Sequence, residues 1–274
     1  MQVLVYYNKE KDAGGKCKNE LIKLLEKNGI KYTILSDDMI NDRINADVLF
    51  AIGGDGTILF LAEFANKNSL PIVGINAGKL GFLCEFEKSE IELAVEGVKN
   101  NSLSKDYRTM LEISYNDQTF YALNEVYIQR TYNRYIGNTL PEIQIEIDNS
   151  FVSKYTGDGM IISSPTGSTA YSFSLGAPIL SPSSNVFTIT PIAAHSFNQR
   201  PIVYSDDSHC LITVSGKAQA SVFVDGKLVV DLKENDKIDV RKFDKKILFL
   251  RKKDYNFFKR LSNKLIISGD NKND

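Results

Sequence analysis

Residues 47–57 read DVLFAIGGDGT, an apolar run that passes directly into a glycine-rich loop. A short apolar run bounded by glycines is typical of a buried β-strand. After the loop, apolar residues recur at helical spacing, at Ile58, Leu59, Leu61, Ala62 and Ala65. The sequence therefore predicts a strand over Asp47–Ile52, a tight loop and a helix. The loop lies at the carboxyl end of the strand, where open α/β sheets bind ligands.

The residues on either side repeat this alternation of strand and helix. Further strands are predicted at Gln2–Tyr7, Ile30–Leu35 and Leu70–Ile75. One helix carries Cys17, Leu21, Leu24 and Leu25 and ends at Asn28-Gly29; another carries Ile91, Ala94, Val95 and Val98 behind a capping-box pair, Ser89 and Glu92. Strands separated by helices indicate βαβ units and a mainly parallel sheet.

From about residue 105 the pattern becomes β-rich. Strand-like composition covers Met110–Tyr115, Thr119–Gln129 and Glu142–Asp148. Hairpin turns are predicted at Asn116-Asp117, at Asp148-Asn149 and at Asp225-Gly226, which joins Ala220–Val224 to Leu228–Leu232. A last helix is predicted over Tyr255–Leu265, and its apolar face needs a partner surface on the first domain.

The fold class that follows is α/β plus all-β. Residues 1–103 are predicted to form a Rossmann-like α/β domain that carries GGDGT, and residues 104–245 a β-rich, sandwich-like domain. Residues 246–274 are predicted to pack back on the first domain.

Composition narrows the class of protein. The 274 residues are 43% hydrophobic and 24% charged, with a formal net charge of −1, which is ordinary globular usage without a whole-chain footprint for nucleic acid. No apolar run approaches the ~18 residues of a spanning helix, and the first residues lack a secretory signal layout. Cys17, Cys84 and Cys210 form no CxxC pair. We therefore expect a cytoplasmic protein without nucleic-acid or membrane partners, and we interpret the basic stretch Arg241–Lys264 as a solvated face.

The glycine-rich loop at Gly53–Thr57 favours phosphate binding. Glycines allow a ligand to approach the backbone closely, so that N–H groups can hold phosphate oxygens. Asp55 is unexpected there, because a carboxylate repels phosphate. Two roles fit it, a general base that takes a proton from an attacking hydroxyl or a magnesium ligand. The plain alternative is that Asp-Gly only forms a tight turn.

Several familiar motifs are absent. Gly74–Lys79 is one residue short of a Walker A spacing and is followed by leucine. Neither GxGxxG nor GxSxG occurs, and the only histidines are His195 and His209. A second dense segment, Ser163–Pro178 (SSPTGSTAYSFSLGAP), combines hydroxyls with small residues. It predicts a shaped loop for a flat polar ligand, on which Tyr171 can stack, or else a surface loop.

Together these segments resemble the NAD kinase family, in order, from about residue 46 to residue 230. GGDG by itself is shared with phosphofructokinases and lipid kinases, whereas PTGSTAYSxS is far more discriminating. The matching residues are Gly53–Thr57 (GGDGT), Asn76–Leu83 (NAGKLGFL), Leu123–Val126 (LNEV), Asp158-Gly159, Pro165–Ser174 (PTGSTAYSFS), Pro178-Ile179 and Asp225-Gly226.

The resemblance implies transfer of the γ-phosphoryl of ATP, with Mg²⁺ or another divalent cation, to the adenosine 2′-hydroxyl of NAD, giving NADP. It implies that Asp55 is the base and contacts NAD together with Gly56. The phosphate or ATP site would be formed by Gly53, Gly54, Gly56 and Thr57. Asn124 and Glu125 would contact the adenosine portion of NAD. Its adenine and ribose would lie in a pocket lined by Thr166, Thr169, Ala170, Tyr171 and Ser174. Its nicotinamide half would meet Asp158 and Ala193. No protein-built metal site is assigned, and a homodimer or homotetramer is expected.

Four positions depart from the family pattern. Phe60 and Thr156 stand where many relatives have a basic residue, Ala177 stands where relatives often have glycine, and Lys227 stands where many have glutamine. Lys154 is a nearby substitute for the cation expected at Thr156. Two other classes of function remain open at this point. One is a GGDG-type kinase for a lipid or sugar, and the other is a non-catalytic NAD(H)-binding sensor, in which Asp55 would be dispensable.

Overall fold

A computed structural model of the chain describes residues 1–78, 81–131, 139–196, 198–216 and 219–269, the last five of these by their backbone only. Lys79 and Leu80 of the NAGKLGFL motif therefore lie outside the described residues, as does the side chain of Leu265. The chain divides into two compact units. Unit 1 comprises Met1–Tyr107 and Ile247–Asp274, and unit 2 comprises Arg108–Lys246.

Unit 1 is an α/β unit built on one sheet. Its elements are β1 (Gln2–Tyr7), α1 (Lys16–Lys27), β2 (Lys31–Ile34), β3 (Val48–Gly53), α2 (Asp55–Lys67), β4 (Ile72–Asn76), β5 (Phe86–Glu87), α3 (Ile91–Lys99), β6 (Ser104–Arg108), and, from the end of the chain, β19 (Ile247–Arg251) and α5 (Phe257–Gly269). β3 is buried along its whole length, as expected of a central parallel strand covered on both faces.

The strand order of this sheet places the glycine-rich loop. In the described residues the order is β2-β1-β3-β4-β19-β6, with β5 beside β4. The strands β2, β1, β3 and β4 pair in parallel. From β1 the chain runs outward to β2 and then returns to the other side of β1 as β3, so the order reverses between β1 and β3. Ligands bind open α/β sheets at such a switch point, beyond the carboxyl ends of the strands, and Gly53–Thr57 follows β3 there.

Unit 2 is a sandwich of two antiparallel sheets. Its strands are β7 (Leu111–Tyr115), β8 (Gln118–Ala122), β9 (Glu125–Arg130), β10 (Glu142–Ile147), β11 (Ser150–Thr156), β12 (Gly159–Ser163), β13 (Val186–Ile192), β14 (Ile202–Ser205), β15 (Cys210–Ser215), β16 (Ala220–Val224), β17 (Lys227–Leu232) and β18 (Asp236–Lys242), with a short helix α4 (Tyr171–Ser174). In the described residues the sheets are ordered β11-β10-β15-β18-β7-β8 and β14-β13-β12-β9-β16-β17. One apolar cluster takes residues from both sheets, for example Ile113 and Ile162, as in packed β-sandwiches.

The predicted fold class is confirmed, including the hairpins and the C-terminal helix that belongs to unit 1. At the β16–β17 turn Asp225 and Gly226 have φ angles of 45° and 81°. Positive φ at both central residues is the type I′ geometry that suits a two-residue hairpin.

Two local predictions are wrong. The stretch Thr119–Gln129 is not one strand, because β8 ends at Ala122 and β9 begins at Glu125. Ser89 and Glu92 do not form the capping box of α3. Instead Lys88–Glu90 form a 3-10 turn, in which the Glu90 carboxylate accepts the N–H of Glu87 at 2.9 Å. A carboxylate three residues after Glu87 caps the chain two residues earlier than predicted.

The interpretation of Arg241–Lys264 as a solvated face is also wrong for part of that stretch. It contains β19, which lies between β4 and β6 in the sheet order, and Phe249 on β19 is 1% exposed. Arg251 is buried as well and forms an ion pair with Asp106 at 3.0 Å. The alternation of apolar and basic residues therefore reflects a core strand with paired cations.

No helix in the described ranges is both long and apolar enough to cross a membrane. The three cysteines are all buried and unpaired with one another.

Because β19 completes the core of unit 1, we predict that Phe249→Ala lowers the free energy of unfolding by about 3–5 kcal/mol, the usual cost of removing a buried phenylalanine. The matched control is Phe258→Ala on α5, where the side chain is 62% exposed and the cost should be within about 0.5 kcal/mol. Urea unfolding followed by circular dichroism measures both, and equal costs for the two variants would contradict the core position of β19.

Candidate functional site

Asp55 is the first residue of α2, and its carboxylate is fixed by backbone N–H groups from a distant loop. Oδ2 accepts the N–H of Phe82 at 2.7 Å, while Oδ1 accepts the N–H of Leu83 at 3.0 Å and that of Cys84 at 3.4 Å. The positive end of the α2 dipole also favours an acidic side chain in the first turn. The carboxylate is thus held in one orientation beside the glycine-rich loop. The same charge contributes to the raised pKa of the neighbouring Cys84 thiol, about 12, of which burial is the larger cause.

The glycine-rich loop brings its predicted residues together around the start of α2. Thr57 is buried, and its hydroxyl accepts the N–H of Gly54 at 3.4 Å. A Cβ at position 53 would lie 2.2 Å from Thr57 Oγ1, so that only glycine fits between β3 and the helix. The N–H groups in the first turn of a helix have no partner within the helix. Those of Asp55 and the exposed Gly56 can therefore bind anionic oxygens.

Gly81 is a site residue that the sequence reasoning did not single out, although it lies in the NAGKLGFL motif. A Cβ at position 81 would be 2.1 Å from both carboxylate oxygens of Asp55. The loop can therefore wrap the carboxylate only with glycine at this position. The signal in the sequence was that this glycine lies inside a motif that matches the family.

Unit 2 contains a second carboxylate with the same kind of partners. Asp225, in the β16–β17 turn, accepts the N–H groups of Leu123 and Asn124 at 2.8 Å and that of Glu125 at 3.1 Å. These N–H groups lie where β8 ends and β9 begins, which is the break that the sequence analysis missed. Asp225 thus shapes the segment that carries two predicted NAD-binding residues, Asn124 and Glu125. Sequence reasoning identified it as a turn residue and as part of a matching motif, and assigned it no role in the site.

The carboxyl group of Glu125 is strongly perturbed by its surroundings. Glu125 is 6% exposed, and its Oε2 has no hydrogen-bond partner among the described residues. Burial, and then the charge of Asp225, raise the pKa of Glu125 to about 8. Burial also raises the pKa of Asp225, although the three N–H groups lower it. An almost fully buried carboxyl group with one oxygen left without a partner, next to a second carboxyl group, is typical of a functional site.

The loop after β12 packs against this segment. Ser164 Oγ donates to the carbonyl of Leu123 at 2.6 Å, and the Ser164 N–H donates to the carbonyl of Asn124 at 2.8 Å. Arg108 donates to the Thr166 hydroxyl at 3.4 Å. The Tyr171 ring meets Tyr127 edge-on with centroids 5.2 Å apart. The structure thus brings together Asn124, Glu125, Thr166 and Tyr171, with Thr169, Ala170 and Ser174 in the adjoining 3-10 turn and short helix.

Asp158 and Ala193 lie elsewhere in unit 2. Gly159 and Ser163 are the two ends of β12, and Ser163 pairs with Glu125, whereas Gly159 pairs with Ile192. Asp158 and Ala193 therefore flank the opposite end of the strand from Glu125, roughly 13 Å away at ~3.3 Å per residue. Asp158 forms an ion pair with Arg130 at 3.0 Å, and Ala193 has a positive φ of 45°. Beside them opens a cavity of about 720 Å³ lined by residues that include Ala194, His195 and Gln199.

The positions that depart from the family pattern have partners of their own. Phe60 packs against Tyr6 with ring centroids 5.6 Å apart. Lys154 forms an ion pair with Glu142 at 2.7 Å. Lys227 is exposed in the β16–β17 hairpin.

These features define a class of protein. One unit has a carboxylate and a glycine-rich loop at the switch point of a parallel sheet. The other is an antiparallel sandwich with buried carboxyl groups. This combination is typical of a nucleotide-dependent phosphotransferase. The chain belongs to the ATP-NAD kinase family. Residues 6–102 match its N-terminal domain and residues 123–252 match its C-terminal domain.

Individual relatives and solved structures agree. The chain is 36% identical to an NAD kinase of Ruminiclostridium cellulolyticum, covering 95% of this chain and 96% of the relative. It is 33% identical to an NAD kinase of Caldicellulosiruptor saccharolyticus, covering 97% and 99%. Yeast NADH kinase complexed with NADH superposes with a TM-score of 0.84 at 25% identity, over 100% of this chain and 89% of that one. An NAD kinase of Archaeoglobus fulgidus in complex with ATP has the same fold, with a TM-score of 0.80 at 24% identity over 97% and 99%.

We predict that Gly81→Ala destabilises the protein by roughly 1–3 kcal/mol, the usual cost of overpacking, because the new methyl group would collide with the Asp55 carboxylate. Gly78→Ala is the matched control, since nothing lies within 4 Å of a Cβ there, and its cost should be within about 0.5 kcal/mol. Equilibrium urea unfolding compares the two variants. A Gly81→Ala protein as stable as the control would mean that the loop does not close around Asp55.

We predict a pH dependence of stability from Glu125. Between the ordinary pKa of 4.5 and the folded value of about 8, the folded protein keeps a proton that the unfolded chain has released. The contribution of Glu125 to stability is therefore complete below pH 4.5 and falls as the pH rises to about 8, by an amount on the order of a few kcal/mol. Glu125→Gln removes this term, so the variant should gain stability relative to the native protein between pH 5 and pH 8.

Urea unfolding at pH 5, 6.5 and 8 measures this difference, with the exposed Glu63→Gln as a control that should follow the native protein. If the native protein and Glu125→Gln keep a constant difference over this range, Glu125 is already ionised in the fold.

Proposed function

We propose that the chain transfers the γ-phosphoryl group of ATP to the 2′-hydroxyl of the adenosine ribose of NAD, and so produces NADP. Membership of the ATP-NAD kinase family supports the reaction. The observation that carries the chemistry is the Asp55 carboxylate, which three N–H groups orient beside a phosphate-binding loop.

Asp55 acts as the general base. A hydroxyl becomes a better nucleophile when a positioned carboxylate accepts its proton as the new O–P bond forms. The bond between the γ-phosphorus and the bridging oxygen breaks at the same step, and ADP leaves. Phosphoryl transfer otherwise depends mainly on positioning and on neutralisation of charge. The glycine-rich loop supplies the positioning. Its backbone holds the ATP phosphates at the start of α2, and the loop is shaped by Gly53, Gly54, Gly56 and Thr57. Asp55 and Gly56 also contact the ribose of NAD.

Mg²⁺, or another divalent cation, enters with ATP. No group of three His, Cys, Asp or Glu side chains within the described part of the chain is arranged to hold a metal ion. Mg²⁺ commonly keeps several water ligands and binds substrate phosphate oxygens, so the ATP phosphates themselves would supply its ligands. The ion supplies neutralisation of the phosphate charge.

Unit 2 binds NAD. Asn124 and Glu125 bind the adenosine portion. Below a pH of about 8 Glu125 is a neutral carboxylic acid, which can donate a hydrogen bond to a ribose or adenine group and accept one from another. The loop residues Thr166, Thr169, Ala170, Tyr171 and Ser174 form the pocket for adenine and ribose. Asp158 and Ala193 meet the nicotinamide half, since they lie at the other end of β12.

The wider assignments are part of the same proposal. Residues 1–103 handle phosphate, residues 104–245 bind NAD, and residues 246–274 pack on the first domain. The protein forms a homodimer or homotetramer in which neighbouring subunits complete the NAD site, and the exposed Phe151 and Val203 on edge strands β11 and β14 are suitable contact residues. Three unpaired cysteines support a reducing compartment such as the cytoplasm.

The test is formation of NADP from NAD, ATP and Mg²⁺ by the purified protein, detected with an NADP-specific dehydrogenase. The native protein should form NADP, and Asp55→Asn should lower kcat by about 10²–10⁴-fold, the usual contribution of a general base. The exposed Asp117→Asn in the β7–β8 turn is the control and should keep the native rate. Circular dichroism and NAD titration calorimetry verify that each variant is folded and binds NAD.

Each other outcome is informative. Near-native turnover by Asp55→Asn would remove the base from the proposal. NAD binding without any product from the native protein would overturn the kinase proposal in favour of a sensor. The absence of both would redirect the search to lipid and sugar acceptors.

A further inference from the structure

The segment Phe82–Cys84 has polar groups on two sides, and both sides have side-chain partners. Its N–H groups hold the Asp55 carboxylate. Its carbonyl groups accept hydrogen bonds from two arginines of the C-terminal segment, Arg251 and Arg260. The peptide units of one short segment therefore connect these guanidinium groups to the proposed base.

Arg251 is held rigidly inside unit 1. It is 1% exposed, and its Nη1 donates to the carbonyl of Leu83 at 2.6 Å, while Nε donates to Asp106 at 3.0 Å. The rings of Phe249 and Tyr255 each lie with their centroid 4.8 Å from the guanidinium carbon. A buried cation needs partners of this quality, and in turn it leaves the Leu83 carbonyl little freedom to move.

Arg260, on α5, spans the same segment. Its Nη1 donates to the carbonyl of Cys84 at 2.5 Å and approaches that of Phe82 at 3.4 Å, and its Nη2 donates to Glu85 at 2.7 Å. A planar guanidinium group can donate hydrogen bonds to a carbonyl and to a carboxylate at the same time. An ammonium group would do so with poorer geometry.

The hydrogen bonds run through individual peptide units. The Leu83 carbonyl, bound by Arg251, belongs to the same peptide unit as the Cys84 N–H, which donates to Asp55. The Phe82 carbonyl, approached by Arg260, shares a peptide unit with the Leu83 N–H, which also donates to Asp55. Hydrogen bonds in a chain polarise one another, so a donor on the carbonyl strengthens the N–H bond to the carboxylate.

We infer that Arg251 and Arg260 are positioning residues for the phosphoryl transfer, which fix the Asp55 carboxylate through the backbone of Phe82–Cys84. These two side chains of the C-terminal segment thus support the site, although neither arginine touches the reacting atoms. This inference rests on the proposed function of Asp55 as the base. If the arginines served only stability, their loss would lower the melting temperature and leave the turnover of the folded protein intact.

The experiment uses the full chain with Arg260→Gln and the milder Arg260→Lys. The control is Lys252→Gln, because Lys252 forms an ion pair with Glu90 at 2.6 Å in the same unit but donates no hydrogen bond to Phe82–Cys84 in the described structure. All are assayed at a temperature at which circular dichroism shows them fully folded. Arg260→Gln should lower kcat by about 10–100-fold, since a displacement of about 1 Å in a catalytic group costs that much, with the KM for NAD within about twofold of native. Arg260→Lys should fall between, and Lys252→Gln should keep the native kcat.

Hydrogen–deuterium exchange provides a readout that does not depend on turnover. In Arg260→Gln the amides of Phe82–Cys84 should exchange faster than in the native protein, while Lys252→Gln leaves them unchanged. A folded Arg260→Gln protein with native kcat, or with unchanged exchange at these amides, would overturn the inference.

The Asp55→Asn result separates the two proposals. If Asp55→Asn is inactive and Arg260→Gln is fully active, the assignment of Asp55 as the base stands and the positioning role of the arginines is overturned. Active Asp55→Asn with faster exchange in Arg260→Gln shows that the arginines hold the segment but that the segment does not hold a base.

Discussion

A carboxylate that accepts three backbone N–H groups is the interaction on which both candidate sites depend. Asp55 holds Phe82–Cys84 in unit 1, and Asp225 holds Leu123–Glu125 in unit 2. A buried N–H left without a partner costs about 1–3 kcal/mol, so neither segment would keep its path without its carboxylate. In return, each carboxylate is fixed by several donors. The sites are therefore built from loops, yet they have the rigidity of regular structure.

The two units make different use of buried charge. In unit 1 buried carboxylates face guanidinium groups, as Glu85 does with Arg260 at 2.7 Å, and the charges are paired. In unit 2 Glu125 and Asp225 lie near each other, and burial raises the pKa of both. Paired charges give a stiff support, whereas Glu125 keeps one buried carboxyl oxygen without a partner among the described residues.

The return of the chain to unit 1 has a consequence for folding. β19 pairs with β4 in parallel, through Phe249 and Ile72, so the sheet that carries the glycine-rich loop is complete only after residues 247–251 have been made. Contacts this distant along the chain are slow to form, because the loop between them must close first. The same return brings Arg251 and Arg260 to Phe82–Cys84.

Local pattern was sufficient for the first strands and helices and for the hairpin turns. The apolar run before Gly53, the helical spacing after it and the Asp225-Gly226 turn each depend on neighbours in sequence, and period and turn preference act at that range. The family motifs likewise predicted a phosphate site at the glycine-rich loop and an NAD site around Asn124 and Tyr171, and these roles stay predictions. Tertiary structure decided what those patterns omit: that Leu123-Asn124 breaks a strand, that β19 lies in a core and that Arg251 is buried. It also decided that Asp55, Gly81 and Phe82–Cys84 form one cluster. The physical reason is the separation along the chain. A hydrogen bond between residues 27 to 178 positions apart produces no periodic pattern in the sequence. Such a bond forms only where the completed sheet and helices bring the two groups together.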